Sequence, residues 1–254
     1  MKVTLILLLF VVPGQLFSYS VNDIEQLMQK SKYFYENSVT TYYSFTILQE
    51  KHGSKLRGKE RVRLFFKKPN NQYYQFMKGK FEGLRASYMP NRDGKEHFLA
   101  KETGFRGMLG VKSWGFDSII KKVLYPHVYD VNQYHIGFII YEGLRLYNLA
   151  KKKGTVAIIF AGDVYDKLLK KKMFKITFQL SDNPKDGFPY YRADYFIDKK
   201  NSLPLHVVLY DFDGSIKAYY SFVTMKLNPV ISDSIFDLHN DPPKPLLPDP
   251  KFDD

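Results

Sequence analysis

Apolar residues recur along this chain with two periods, and the switch between them separates helices from strands. Over residues 22–37, Ile24, Leu27, Met28 and Ser31 fall at helical spacing, which predicts a helix capped by Asn22 or Asp23. From Tyr43 onward the period drops to two. Tyr43, Phe45 and Ile47 alternate with Ser44 and Thr46, and Val62, Leu64 and Phe66 alternate with Arg61 and Arg63. The polar stretch 52–58, with two glycines, is the turn between them. Residues 72–78 form an aromatic-rich strand. Residues 84–89 and 96–101 form a hairpin around Asn91, Arg92, Asp93 and Gly94. The glycine-rich segment 104–115 carries no usable period, and 116–123 reads as a short helix.

A second long helix covers residues 136–153, with Ile136, Ile139, Ile140, Gly143, Leu144, Tyr147 and Ala150 on one stripe. Lys151, Lys152 and Lys153 suit the negative end of its dipole, and Gly154 is a stop signal. Alternation then returns at Val156, Ile158 and Phe160. Residues 166–172 read either as a helical turn or as a polar loop. Further strands carry Phe174, Ile176, Phe178 and Leu180; Tyr191, Ala193, Tyr195 and Ile197; Leu205, Val207 and Leu209; and Ile216, Ala218, Tyr220 and Phe222. Short turns at 198–202 and 211–214 join the last three strands into a meander. One helical turn is expected at 233–236, followed by an extended, mobile tail with five prolines between 242 and 250. The pattern predicts an α+β, mainly antiparallel fold: one curved sheet of roughly ten strands, its apolar face covered by the helices.

The N-terminus changes the compartment. Lys2, the apolar run 3–12, Pro13-Gly14 and the small residues Ser18 and Ser20 have the order of a secretory signal, with cleavage after Ser18 or Ser20. The run is about ten residues, half of the ~20 that span a bilayer. The expected division is a signal peptide at 1–20, a single domain at 21–240 and a Pro-rich tail at 241–254. This places the mature protein in solution in the periplasm. The absence of cysteine excludes a disulfide scaffold, a thiol nucleophile and a Cys-ligated metal. It also excludes an acylated N-terminal cysteine. The 20 Tyr and 21 Phe must be buried, which excludes disorder.

Motifs for chemistry are absent. There is no Gly-x-Ser-x-Gly elbow, phosphate-binding loop or His-Glu-x-x-His helix. Gly104, Gly107 and Gly110 lack the strand-to-helix context of a nucleotide site, and Asp211-Phe212-Asp213-Gly214 runs straight into a strand, as a hairpin turn does. The six histidines, at 52, 97, 127, 135, 206 and 239, show no ligand spacing. Glu50, Glu60, Glu96, Asp194 and Asp198 lie on or near strands, which leaves a carboxylate-pair hydrolase as a minor alternative. No catalytic residue, metal or cofactor is expected. The net charge is +12, with eight Lys and Arg between 51 and 68 and four more Lys between 167 and 172. A secretory signal argues against nucleic acid as the partner. The remaining readings are a solvated strand face or attraction to an anionic membrane surface.

The C-terminal third carries a recognisable order: Tyr190 to Asp198, Leu203-Pro204, Tyr210 to Gly214, Tyr219 to Phe222, Leu227-Asn228-Pro229 and Phe236-Asp237. Phe45 to Glu50, Gly58-Lys59-Glu60, Phe65 to Pro69, Tyr74 and Gly83 to Tyr88 agree with it. Over residues 40–238 the chain resembles an exported bacterial family of unknown function that is similar to the LolA-type outer-membrane lipoprotein carriers. The resemblance implies an incomplete, half-open β-barrel closed by helices around an apolar cavity, and no enzymatic activity.

The expected ligand is a lipid or an acylated, lipoprotein-like partner, carried between envelope membranes. The candidate cavity residues are Tyr43, Phe45, Ile47, Val62, Leu64, Phe66, Tyr195, Ile197, Val207, Leu209, Tyr220 and Phe222. Arg57, Arg61 and Arg63 are the candidates for head groups or a membrane surface. The alternative is an envelope adapter with a packed core, its tail docking a protein partner.

Overall fold

The computed structural model describes residues 20–90, 97–103, 110–115 and 133–251. Of the leader expected at 1–20, residues 1–19 lie outside these residues, as do the turn expected at 91–94 and the short helix expected at 116–123.

Helix α1 spans Val21–Ser38. Its cap is Ser20, ahead of the expected Asn22 or Asp23. The Ser20 hydroxyl accepts from the Asp23 N–H at 3.2 Å, and the Asp23 carboxylate accepts from the Ser20 N–H at 2.8 Å. Asp23 therefore acts as the third-position partner in a capping box. Ile24, Met28, Ser31 and Tyr35 form the buried stripe. Helix α2 spans Ile136–Lys153, and all seven residues of its predicted stripe are buried. It ends at Gly154, whose φ of 71° is the left-handed conformation that glycine adopts without a Cβ clash.

Twelve strands form one antiparallel sheet. They are β1 Thr41–His52, β2 Lys55–Leu56, β3 Glu60–Lys67, β4 Asn71–Lys78, β5 Arg85–Tyr88, β6 His97–Lys101 and β7 Lys112–Gly115. After α2 come β8 Ala157–Asp166, β9 Lys171–Gln179, β10 Arg192–Ile197, β11 Pro204–Tyr210 and β12 Ile216–Leu227. The order is β7-β6-β5-β4-β3-β1-β12-β11-β10-β9-β8, with β2 pairing β1 alone. Among the described residues, β7 and β8 end the sheet, so the barrel is half open.

The sheet has to curl. Eleven strands at about 4.8 Å spacing would be roughly 50 Å wide if flat, while a helix of this length covers only about 27 Å. Yet Phe98 and Ala100 of β6, Met173 and Ile176 of β9, and the α2 stripe belong to one continuous buried cluster. The concave core is heavily aromatic: Tyr42, Phe66, Tyr74, Tyr147, Phe178, Tyr190, Tyr220 and Phe222 are all fully buried.

The convex face is covered too. Beyond β12 the chain crosses it as a strap that begins with a 3₁₀ turn at Asp233–Phe236. Ile231, Phe236 and Leu238 form a second buried cluster with Tyr43, Phe65 and Tyr73, and Leu246 and Leu247 pack against it. Ser87 Oγ donates to the Phe236 carbonyl at 2.6 Å, and Arg85 Nη1 donates to the Asn240 carbonyl at 2.9 Å. Arg63 grips Asp249 with two parallel hydrogen bonds of 2.9 and 2.5 Å. The tail expected to be mobile is instead docked on its own sheet. Proline suits it because an extended strap needs no ladder hydrogen bonds.

Candidate functional site

Helix α2 lies over β10, β11 and β12. Gly143 sits against Tyr195, where a Cβ would collide with the Tyr195 hydroxyl, so the glycine sets the closeness of helix and sheet. Beneath it, Phe138, Ile139, Tyr190, Tyr195, Val207, Leu209 and Tyr220 leave a space of about 10 Å³, room for about one water. A second space, about 20 Å³, lies between Leu48, Glu50, Arg57, Glu60, Phe76, Phe81 and Tyr134. Aromatic side chains thus fill the concave face at both places.

Nine of the twelve predicted cavity residues do share the concave cluster: Val62, Leu64, Phe66, Tyr195, Ile197, Val207, Leu209, Tyr220 and Phe222. Tyr43, Phe45 and Ile47 do not. They pair across β1 and β3 with Phe65, Arg63 and Arg61, which point to the convex side. Ser44 and Thr46 take the concave face instead, between Tyr42 and Leu48, and satisfy each other at 2.8 Å. Alternation identified a face of β1 but chose the wrong one, because both faces of this central strand are buried.

The predicted arginine patch also changes. Arg63 is committed to Asp249 under the strap. Arg61 faces the convex side opposite Ile47. Arg57 follows the β2 hairpin at the other end of β1, with its Nη1 buried and unpartnered. The three do not form one free basic surface.

The carboxylates considered for hydrolysis have structural partners. Glu50 accepts from Tyr220 Oη at 2.6 Å and from Tyr134 Oη at 3.0 Å. Glu60 accepts the N–H of Lys80 at 2.9 Å and that of Phe81 at 3.3 Å. Asp194 is held by Thr177 and Lys175, both at 2.8 Å. Asp198 pairs with Lys171 at 3.1 Å. Glu96 lies outside the described residues. His206 Nδ1 meets Asp166 at 2.7 Å, with its ring between Phe196 and Tyr219. Burial raises the Asp166 carboxyl, but the hydrogen bonds from His206 and the Leu169 N–H outweigh it and hold the group below its ordinary value. Ser221 stands opposite His206 across β11 and β12. Asp166, His206 and Ser221 are all buried, and neither of the two end clefts described below is lined by any of them. Among the described residues, no three His, Asp or Glu side chains gather as a metal site.

The open space lies at the end of the barrel. There the second half of α1 crosses the start of β11 and the end of β12. Ser31 Oγ donates to the Ser202 carbonyl at 2.5 Å and fixes α1 to the β10–β11 turn. Phe34, one turn further on, overhangs the gap. On β12, Thr224 pairs Phe45 and Phe222 pairs Thr46, so Val223 bulges out of the ladder. The result is a cleft of about 340 Å³. Phe34, Leu205, Phe222, Met225 and Leu227 form its apolar wall, and Lys171, Asp198, Lys200 and Asn201 form its rim. Of the twelve cavity residues predicted from sequence, only Phe222 lines it. Leu205 belongs to the alternation with Val207 and Leu209, and helical spacing from Ser31 reaches Phe34. The bulge that opens the cleft has no signature in the pattern.

A half-open antiparallel barrel with two packed helices and a cleft at one end defines the class: an α+β, mainly antiparallel fold. The chain belongs to the DUF1571 family of proteins of unknown function, whose model matches residues 39–243. Among solved structures it is similar to an uncharacterized conserved protein from Thermus thermophilus, at 10% identity over 87% of this chain and 96% of that one, with a TM-score of 0.47. Similarity to the Mycobacterium tuberculosis lipoprotein LppX is 12% identity over 84% and 100% of the two chains, with a TM-score of 0.46. A LolA superfamily protein from Nitrosomonas europaea aligns at 8% identity over 85% and 97%, with a TM-score of 0.33. No curated protein sequence matches the chain.

Proposed function

We propose that this is an exported, non-enzymatic envelope protein that binds the acyl chain of a lipid or of a lipid-modified partner in the cleft beneath Phe34. One observation carries the reading. The cleft is a gap of about 340 Å³ with an apolar wall and lysine at its rim, within the ~300–1,000 Å³ typical of small-molecule sites. Burial of chain would drive binding at about 0.8 kcal/mol per methylene. Lys200, exposed and without an ion pair among the described residues, would meet an anionic head group. The leader at residues 1–20 supports export.

Native mass spectrometry with lipid extraction, on protein purified from its own envelope without detergent, tests the reading. Leu64 is a poor probe because it is only 1% exposed in the core, where a charge would unfold the protein. Met225 is half-buried in the cleft wall and can be changed with less risk to the fold. Lipid or acylated peptide should accompany the wild type and fall by about tenfold or more in a folded Met225→Glu variant, equivalent to ~1.4 kcal/mol. A full lipid load on that variant would rule the cleft out.

The second reading is an adapter that binds a protein. It is favoured by the aromatic filling beneath α2, where only about 10 Å³ remains. Its partner surface would be the edge strand β8, where Ile159 and Phe160 are 52% and 42% exposed. A clean apo mass for the wild type would favour this reading.

A further inference from the structure

The turns that surround the open end are basic. The β8–β9 turn and the start of β9 carry Lys167, Lys170, Lys171 and Lys172, and the β10–β11 turn carries Lys199 and Lys200. The 3.1 Å contact between Lys171 and Asp198 ties these two turns together. Lys226 sits beside them near the end of β12. Lys167, Lys170, Lys172, Lys200 and Lys226 are exposed and make no ion pair among the described residues. Among the described residues, the acids close by are already used: Asp163 by Lys199, Asp198 by Lys171, and Asp166 by His206.

Apolar groups are set among these charges. Val230, three residues past the end of β12, is 99% exposed. Leu168 and Leu169 line a second cleft of about 470 Å³ with Lys167, Lys170, Pro250 and Lys251. That cleft shares Val223 with the acyl-chain cleft, so the bulge stands between the two.

We infer that this end of the barrel docks on an anionic bilayer surface, with head groups between Lys167, Lys170 and Lys251. The turns hold lysine and no arginine. Lysine is a mobile point charge suited to a diffuse layer of head groups, whereas arginine's fork serves fixed, bidentate recognition of one carboxylate. A cluster of four or more lysines is also the composition that anionic leaflets attract. The exposed valine adds an apolar tip, which a bilayer takes up and an acidic protein surface does not. The bilayer also contains the amphiphile that the adjoining cleft fits. Docking does not depend on that cleft being filled.

Flotation of the full-length mature protein with lipid vesicles tests the docking. One set is phosphatidylcholine alone, and the other carries roughly a third phosphatidylglycerol. Binding should require phosphatidylglycerol and disappear at about 0.5 M salt, where screening is short-ranged. A folded Lys167→Glu/Lys170→Glu/Lys200→Glu variant should bind at least about tenfold less. Lys55→Glu/Lys59→Glu/Lys80→Glu, which makes the same change of charge at the opposite end, should bind as the wild type does. Met225→Glu should still dock, which separates the membrane surface from the acyl-chain cleft. Three results would overturn the inference: no binding to anionic vesicles, equal binding to neutral ones, or equal loss in the two lysine variants. The first would leave an acidic protein as the partner of this end.

Discussion

His135 caps α2 and fills the core with the same ring. Its Nδ1 accepts the Phe138 N–H at 3.2 Å, and the ring stacks on Phe66 at 4.9 Å. Burial disfavours the charged form and lowers its pKa to about 3. In the unfolded chain the group titrates near 6.5. Below about 6.5 the unfolded state therefore takes up a proton that the folded state refuses, and stability falls until the folded value is reached. His135→Asn keeps a capping side chain and removes the titration. Urea unfolding midpoints between about pH 7 and pH 4.5 should show an acid loss of up to ~1.4 kcal/mol per pH unit in the wild type that is much reduced in the variant. Parallel losses in both proteins would place the acid sensitivity elsewhere. The loss of ring stacking should cost the variant about 1 kcal/mol at neutral pH. None of this was legible in the sequence, because a histidine just before a helix gives no sign of whether it will be sealed from water.

At the scale of elements, the helices were legible because each buries one face and exposes the other, and the C-terminal meander because its concave residues alternate, although β11 is buried on both faces. The seven-residue stripe of α2 and its Gly154 stop follow directly from that asymmetry. Strand β1 defeats the same logic. Tyr43 packs under the strap, Phe45 and Ile47 are buried on the same face, and Ser44 and Thr46 are buried on the other side by pairing with each other. The strap itself looked like a mobile tail, since its prolines say only that it is neither helix nor ladder. The signal lay in Phe236, Leu238, Leu246 and Leu247, apolar residues that a solvated tail does not need. Phe236→Ala should cost about 3–5 kcal/mol, a fall in melting temperature of roughly 6–20 °C for a domain of this size. Removing residues 229–254 should go further and make the protein self-associate on size exclusion, as Tyr43, Phe65 and Tyr73 become exposed. An unchanged melting curve after truncation would show that the strap is not part of the fold.

On the scale of the molecule, protection should follow position in the sheet. Strands β1, β3 and β12 lie at its centre, and among the described residues β8 is an edge with half of its positions exposed. Native-state hydrogen exchange should be slowest in Tyr42–Leu48 and its partners in β3 and β12, and fastest in Ala157–Asp166. Equal protection along the sheet would mean that the edge is covered in solution, as the adapter reading requires. The candidate site was the least legible feature at this scale. Its walls come from α1, β11 and β12, and a bulge rather than a motif opens it.

The closing of β1 against β12 also sets an order of events. Asn228 donates to the Ser38 carbonyl across 190 positions, and Arg63 reaches Asp249 across 186. The first strand of the sheet is therefore completed by residues 190 positions further on. Until β12 and the strap are available, β1 has a bare edge and the convex aromatics have no cover. The sheet cannot close until those residues have been made. That delay suits the export proposed above, because a thread that has not closed can still be drawn through a membrane pore.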